Sequence, residues 1–157
     1  MLRANHATIA ALFLIYVLPL DPLGFASGPS YPFWTRLSYM FFHVNIWHLI
    51  GNSYALKVMR IGKREIARSY IMAVLASFFS TSPVIGASAM IFATWGERLA
   101  SAKWRDRAIW SSSLVISYVI PGISWEIHLA SSLIGFCWIK LYNIYHDYRL
   151  VLSLIHI

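Results

Sequence analysis

Five polar side chains of the kinds that carry out acyl transfer lie in apolar surroundings here. They are His43, His48 and Asn52 in HVNIWHLIGN, Ser88 in VIGASAMIFA, and His128 in WEIHLASSLIGF. A serine hydroxyl is a weak nucleophile until a neighbouring base takes its proton. A neutral imidazole can do so near pH 7, which makes Ser88 the candidate nucleophile and His128 its general base. His48 and Asn52 stand i, i+4, so a helix places them on one face. Aimed beside Ser88, they form a donor pair for the oxyanion of a tetrahedral intermediate. His43 falls off that face and is read as a structural group, bonded within its loop or to water. Glu126 is two residues from His128, which on a helix points it elsewhere, and Asp21 lies in a remote loop. The expectation is therefore a dyad.

A metal or haem site on His43, His48 and His128 is the competing chemistry, but haem histidines come as pairs on facing helices and need no serine. No metal or other cofactor is expected. The single Cys137 excludes an intramolecular disulfide and a cysteine metal site, and it is read as a packing residue.

The elements that must position these groups are apolar segments. Of 157 residues, 59% are hydrophobic and 12% charged, against about 25% charged in a soluble domain. A water-facing surface cannot be built from that balance. The apolar residues collect in six stretches: Ala7 to Leu20, Ile46 to Met59, Glu65 to Phe79, Ser88 to Leu99, Ala108 to Ile120, and Ile127 to Tyr145. They are expected to be helices crossing a bilayer, although several fall short of the roughly 20 residues a span needs. The first is not read as a cleaved signal, because no small-residue cleavage site follows it and five more segments do. A domain over residues 1–147 and a short tail over 148–157 follow.

The net charge of +7 does not point to nucleic acid, because the basic residues flank apolar segments and form no face with interleaved aromatics. It gives topology instead. With six crossings every basic residue except Arg36 falls on one side, which the positive-inside rule makes cytoplasmic along with both termini. The segment Leu20 to Asn45 is then a large outer first loop. Phe33, Trp34 and Tyr39 in it are read as interfacial anchors ahead of substrate contacts, and His6, His146 and His156 as solvated groups near the cytoplasmic ends.

His48, Ser88 and His128 each stand where a segment enters from the outer side. Counted at about 1.5 Å per residue to the next cytoplasmic charge, they lie roughly 14, 15 and 18 Å away. They share a level within the membrane. The short fourth helix would start partway down and leave a cavity open to water above Ser88, and its first N–H groups suit an oxyanion.

These motifs resemble the rhomboid family of intramembrane serine proteases, from Trp34 to Gly135. WTRLSYMFFHVNIWHLIGN is similar to that family's first-loop and second-helix motif. GASA at Gly86 to Ala89 is similar to its GxSG nucleophile motif, and His128 with Ser131 and Gly135 to its histidine followed by GxxxG, whose small residues let helices approach closely. Ala89 and Ser131 stand where the family has glycine, and Phe92 where a tyrosine packs on the histidine. The resemblance implies an all-α, six-transmembrane-helix bundle with a short central fourth helix. It also implies a Ser88–His128 dyad, an oxyanion site from His48, Asn52 and the Ser88 amide, and substrate access beside the fifth helix. The expected protein is a multi-pass endopeptidase of a cell or inner membrane whose partners are the lipid bilayer and a transmembrane substrate. The alternative is an inactive relative that binds transmembrane helices without cutting them.

Overall fold

A computed structural model describes residues 4–155, which are all-helical, with seven α-helices and no β-strand among them. They are α1 (Ala4–Tyr16), α2 (Thr35–Ser38), α3 (Ile46–Met59), α4 (Lys63–Ala76), α5 (Ser88–Leu99), α6 (Trp104–Val119) and α7 (Trp125–Ile155). The second and fourth apolar stretches coincide with α3 and α5. The first ends early, at Tyr16, because Pro19 lies just beyond and a proline restricts the residue before it to extended backbone. The last runs on through most of the residues read as a tail. His156 lies outside the described residues.

Length divides these helices. By length and composition, α7 over Trp125–Arg149 can cross a membrane, alone among the described residues. The other long helices have 12 to 16 residues, or about 18 to 24 Å of axis. Their outward faces are nevertheless apolar: Leu14, Trp47, Val58, Ile71, Val115, Val119 and Leu141 are all exposed. Monomeric soluble proteins rarely show apolar patches larger than a few hundred Å².

The centre is the pair α5 and α7. A Cβ placed on Gly96 would lie 2.1 Å from the Ser132 carbonyl oxygen, and one on Gly135 would lie 2.1 Å from that of Ala93. Only glycine fits at either crossing, and Ser131 and Ser132 beside them are fully buried. Small residues thus bring α5, which carries Ser88, against α7, which carries His128, as Ser131 and Gly135 led one to expect. Gly96 supplies the other half of the contact.

Away from the site, charges tie the helix ends together. Arg68 of α4 holds Glu97 of α5 through two bonds, of 2.7 and 2.9 Å. Arg98 reaches both the Met59 carbonyl at the end of α3 and Glu65, whose other oxygen caps the Gly62 N–H at the start of α4.

The segment between α1 and α3 is fastened to the C-terminal end of α4. The Tyr39 hydroxyl donates to the Ala73 carbonyl, the Tyr70 hydroxyl to that of Leu37, and Arg36 to that of Ser77. An isolated antiparallel bridge between Ser27 and Val84 joins it to the chain ahead of α5. Phe33 and Trp34 are exposed, whereas Tyr39, also read as an interfacial anchor, is a core residue packed with Met40, Ala73 and Ala76. Cys137, expected to pack, is exposed on α7. Its neighbours on the inner face, Ser132 and Gly135, already take up the crossing.

Candidate active site

Each candidate residue is placed by a helix start. The Asn45 side chain caps α3 by accepting from the His48 N–H at 2.8 Å. This sets the first turn of α3 so that His48 and Asn52 both line one cavity. Ser88 opens α5 after a turn in which Gly86 holds φ at +108°, left-handed backbone that favours glycine. His128 stands in the first turn of α7, just past the turn at Pro121 and Gly122.

Across 40 residues of sequence, Ser88 Oγ and His128 Nε2 meet at 2.8 Å. The two residues chosen as nucleophile and base are hydrogen-bonded. They lie in a cavity of about 700 Å³ lined also by His48, Asn52, Ile127 and Ser117. Phe92, one turn after Ser88, stacks on the imidazole with ring centroids 4.2 Å apart and planes 12° from parallel.

His48 and Asn52 converge on the turn just ahead of Ser88. A methyl on Gly86 would lie 2.7 Å from His48 Nε2 and 3.2 Å from Asn52 Nδ2. Both polar atoms therefore face the turn that delivers Ser88, and a side chain there would fill the space between them. Ser88 and Ala89 open α5, where the first N–H groups of a helix lack intrahelical acceptors. Ala89 itself is buried among Tyr39, Met40, Val84 and Met90, so its methyl is accommodated by core packing.

His43 proves to be more closely tied to the site than its off-face spacing suggests. Its Nε2 accepts from Asn52 Nδ2 at 3.0 Å and from the Ala87 N–H at 3.4 Å. It orients the Asn52 amide and steadies the turn before Ser88. Its bond reaches across to α3 and the α5 turn, beyond its own loop. Glu126 is directed to Thr81, 3.0 Å away, and takes no part.

One residue of the site was missed in the sequence. Ser117 of α6 is buried, with its Oγ 2.8 Å from His128 Nδ1. It sits in a serine-rich helix whose pattern singles out no member. The available clue was the Pro121–Gly122 turn: folding the chain back there as an antiparallel pair brings Ser117 opposite His128.

A hydroxyl bonded to a buried imidazole, beside helix N–H groups and two further polar side chains, is an arrangement for nucleophilic attack on a carbonyl and stabilisation of the resulting oxyanion. No protein-family model matches this chain, and no curated protein matches it significantly.

Proposed function

We propose that this chain is an intramembrane serine endopeptidase that cleaves a transmembrane or membrane-adjacent peptide bond with a Ser88–His128 dyad. The observation that carries the reading is the 2.8 Å bond between Ser88 Oγ and His128 Nε2 within a cavity that also holds His48 and Asn52. The resemblance of the motifs around these residues to those of the rhomboid family supports it.

In this reading Ser88 Oγ attacks the scissile carbonyl while His128 Nε2 takes its proton. The oxyanion is met by the Ser88 N–H together with His48 and Asn52. His128 then returns the proton to the leaving amine, and water deacylates the serine by the same route.

A bilayer setting accounts for the exposed apolar faces of α1, α3, α4, α6 and α7, and for charges gathered at the helix ends away from the site. We place six segments (α1, α3, α4, α5, α6 and α7) across the membrane with both termini cytoplasmic. Short helices are accommodated by local thinning of the bilayer, and the Ser77–Phe79 turn extends α4 by three residues. The cavity then opens to the outer side.

The test is reaction of the purified, reconstituted protein with a serine-directed fluorophosphonate, alongside cleavage of a transmembrane reporter. Wild type should label and cleave, while Ser88→Ala and His128→Ala should do neither. Cleavage that persists in Ser88→Ala would refute the assignment.

A further inference from the structure

We propose that Ser117 is a positioning residue that fixes the tautomer of His128 and so makes it a base toward Ser88. Three hydrogen bonds carry this. Ser117 Oγ lies 2.8 Å from the Ser113 carbonyl oxygen one turn earlier, and a carbonyl can only accept. The single hydroxyl proton is therefore committed to Ser113. The remaining 2.8 Å contact, to His128 Nδ1, must then run the other way, with Nδ1–H donating to Ser117 Oγ.

A neutral imidazole carries one N–H. With that proton on Nδ1, Nε2 is left with its lone pair toward Ser88 Oγ at 2.8 Å. This is the form that can take the serine proton. In the opposite tautomer Nε2–H would donate to Ser88 and no base would face the nucleophile. After proton transfer both ring nitrogens carry hydrogen, and Ser117 Oγ still accepts from Nδ1. It fills, as a neutral dipole, the place that a carboxylate takes in a three-residue arrangement.

The packing of α6 sets this contact apart from an incidental one. Ser117 is the one buried residue of that 16-residue helix. A helix that inserts a single side chain would ordinarily insert an apolar one, and a buried hydroxyl is tolerated where its bonds are made. Two turns earlier on the same face, Trp110 Nε1 donates to Ser132 Oγ at 3.0 Å, and Ser132 is one turn after His128. The seam between α6 and α7 is thus pinned at two levels by hydrogen bonds, and the upper pin is the base.

The reactive consequence rests on the proposed function, whereas the tautomer does not. The experiment therefore has two readouts on Ser117→Ala and Ser117→Thr, which keeps a hydroxyl able to bond the carbonyl one turn back. The first is ¹⁵N NMR of histidine-labelled protein in micelles at a pH where the rings are neutral, with the His128 signal assigned by its loss in His128→Ala. Wild type and Ser117→Thr should show Nδ1–H, and Ser117→Ala should shift toward Nε2–H. The second is fluorophosphonate labelling and reporter turnover. Ser117→Ala should lose roughly tenfold in rate with KM unchanged, the scale of one hydrogen bond, and Ser117→Thr should recover it. An Nε2–H signal in wild type, an unchanged tautomer in Ser117→Ala, or wild-type labelling by Ser117→Ala would each overturn the proposal. If wild type itself fails to label, the proposed activity falls and the NMR result alone decides the role of Ser117.

Discussion

The Phe92 ring lies flat against the His128 imidazole, one turn along α5 from the serine that the imidazole bonds. Ser88 and the stacking ring thus come from a single helix, so one rigid element both bonds the His128 imidazole and sets its tilt. Truncation to Phe92→Ala removes the flat support while leaving both reacting atoms. Labelling of Ser88 by a fluorophosphonate should slow between about tenfold and a hundredfold, the scale of a small misplacement of a reacting group. Phe92→Tyr retains the ring and should label at close to the wild-type rate. Full reactivity in Phe92→Ala would mean that the stack is packing alone.

Asn52 and His43 should behave as one unit. Asn52→Ala removes a proposed oxyanion donor and should lower kcat by about a hundredfold. His43→Ala should lower it by a smaller factor by freeing the Asn52 amide. Because His43 acts largely through Asn52, the double variant should be little worse than Asn52→Ala. A double-mutant cycle on reporter turnover measures this, and strictly multiplicative losses would contradict it.

The crossing of α5 and α7 should tolerate no added atom. Gly135→Ala places a methyl against the Ala93 carbonyl and should destabilise the fold by about 1–3 kcal/mol, the range for overpacking. It should also reduce labelling, since the displaced helices carry Ser88 and His128. Gly51→Ala on α3, where nothing lies within 4 Å, is the matched control. It should leave stability unchanged or raise it by about 1 kcal/mol through helix propensity. Unfolding in mixed micelles distinguishes the two.

Removing one partner of the Arg68–Glu97 pair should be worse than removing both. The Glu97 side chain is 5% exposed, so Arg68→Met leaves a buried carboxylate unpaired, which costs about 3–5 kcal/mol. Arg68→Met with Glu97→Gln should recover much of that loss. The same unfolding measurement serves, and a single variant as stable as wild type would show the pair to be dispensable.

The separate parts of the site were legible because each carries a local signal. Ser88 interrupts an apolar run just after the turn at Gly86, His48 and Asn52 share a helical face, and the ends of α3 and α5 follow from hydrophobicity. What was not legible depends on contacts between helices. Tyr39 looks like an interfacial aromatic, yet its hydroxyl finds the Ala73 carbonyl, so the whole ring can be buried. Cys137 is expected to pack, but the inner face of α7 is taken by Ser131, Ser132 and Gly135. Gly96 and Ser117 carry no motif. Their roles come from what sits opposite, a carbonyl at one and an imidazole at the other.

The single inserted serine of α6 has a thermodynamic consequence. If the tautomer of His128 depends on a hydroxyl that belongs to α6, the docking of that helix and the readiness of the base are linked equilibria. Linkage is reciprocal. Whatever holds α6 in its seat favours the reactive imidazole, and a ligand that selects the reactive imidazole tightens the seat of α6 by the same factor. A helix with a single buried side chain would then report, in its own affinity for the bundle, on which nitrogen of His128 carries the proton.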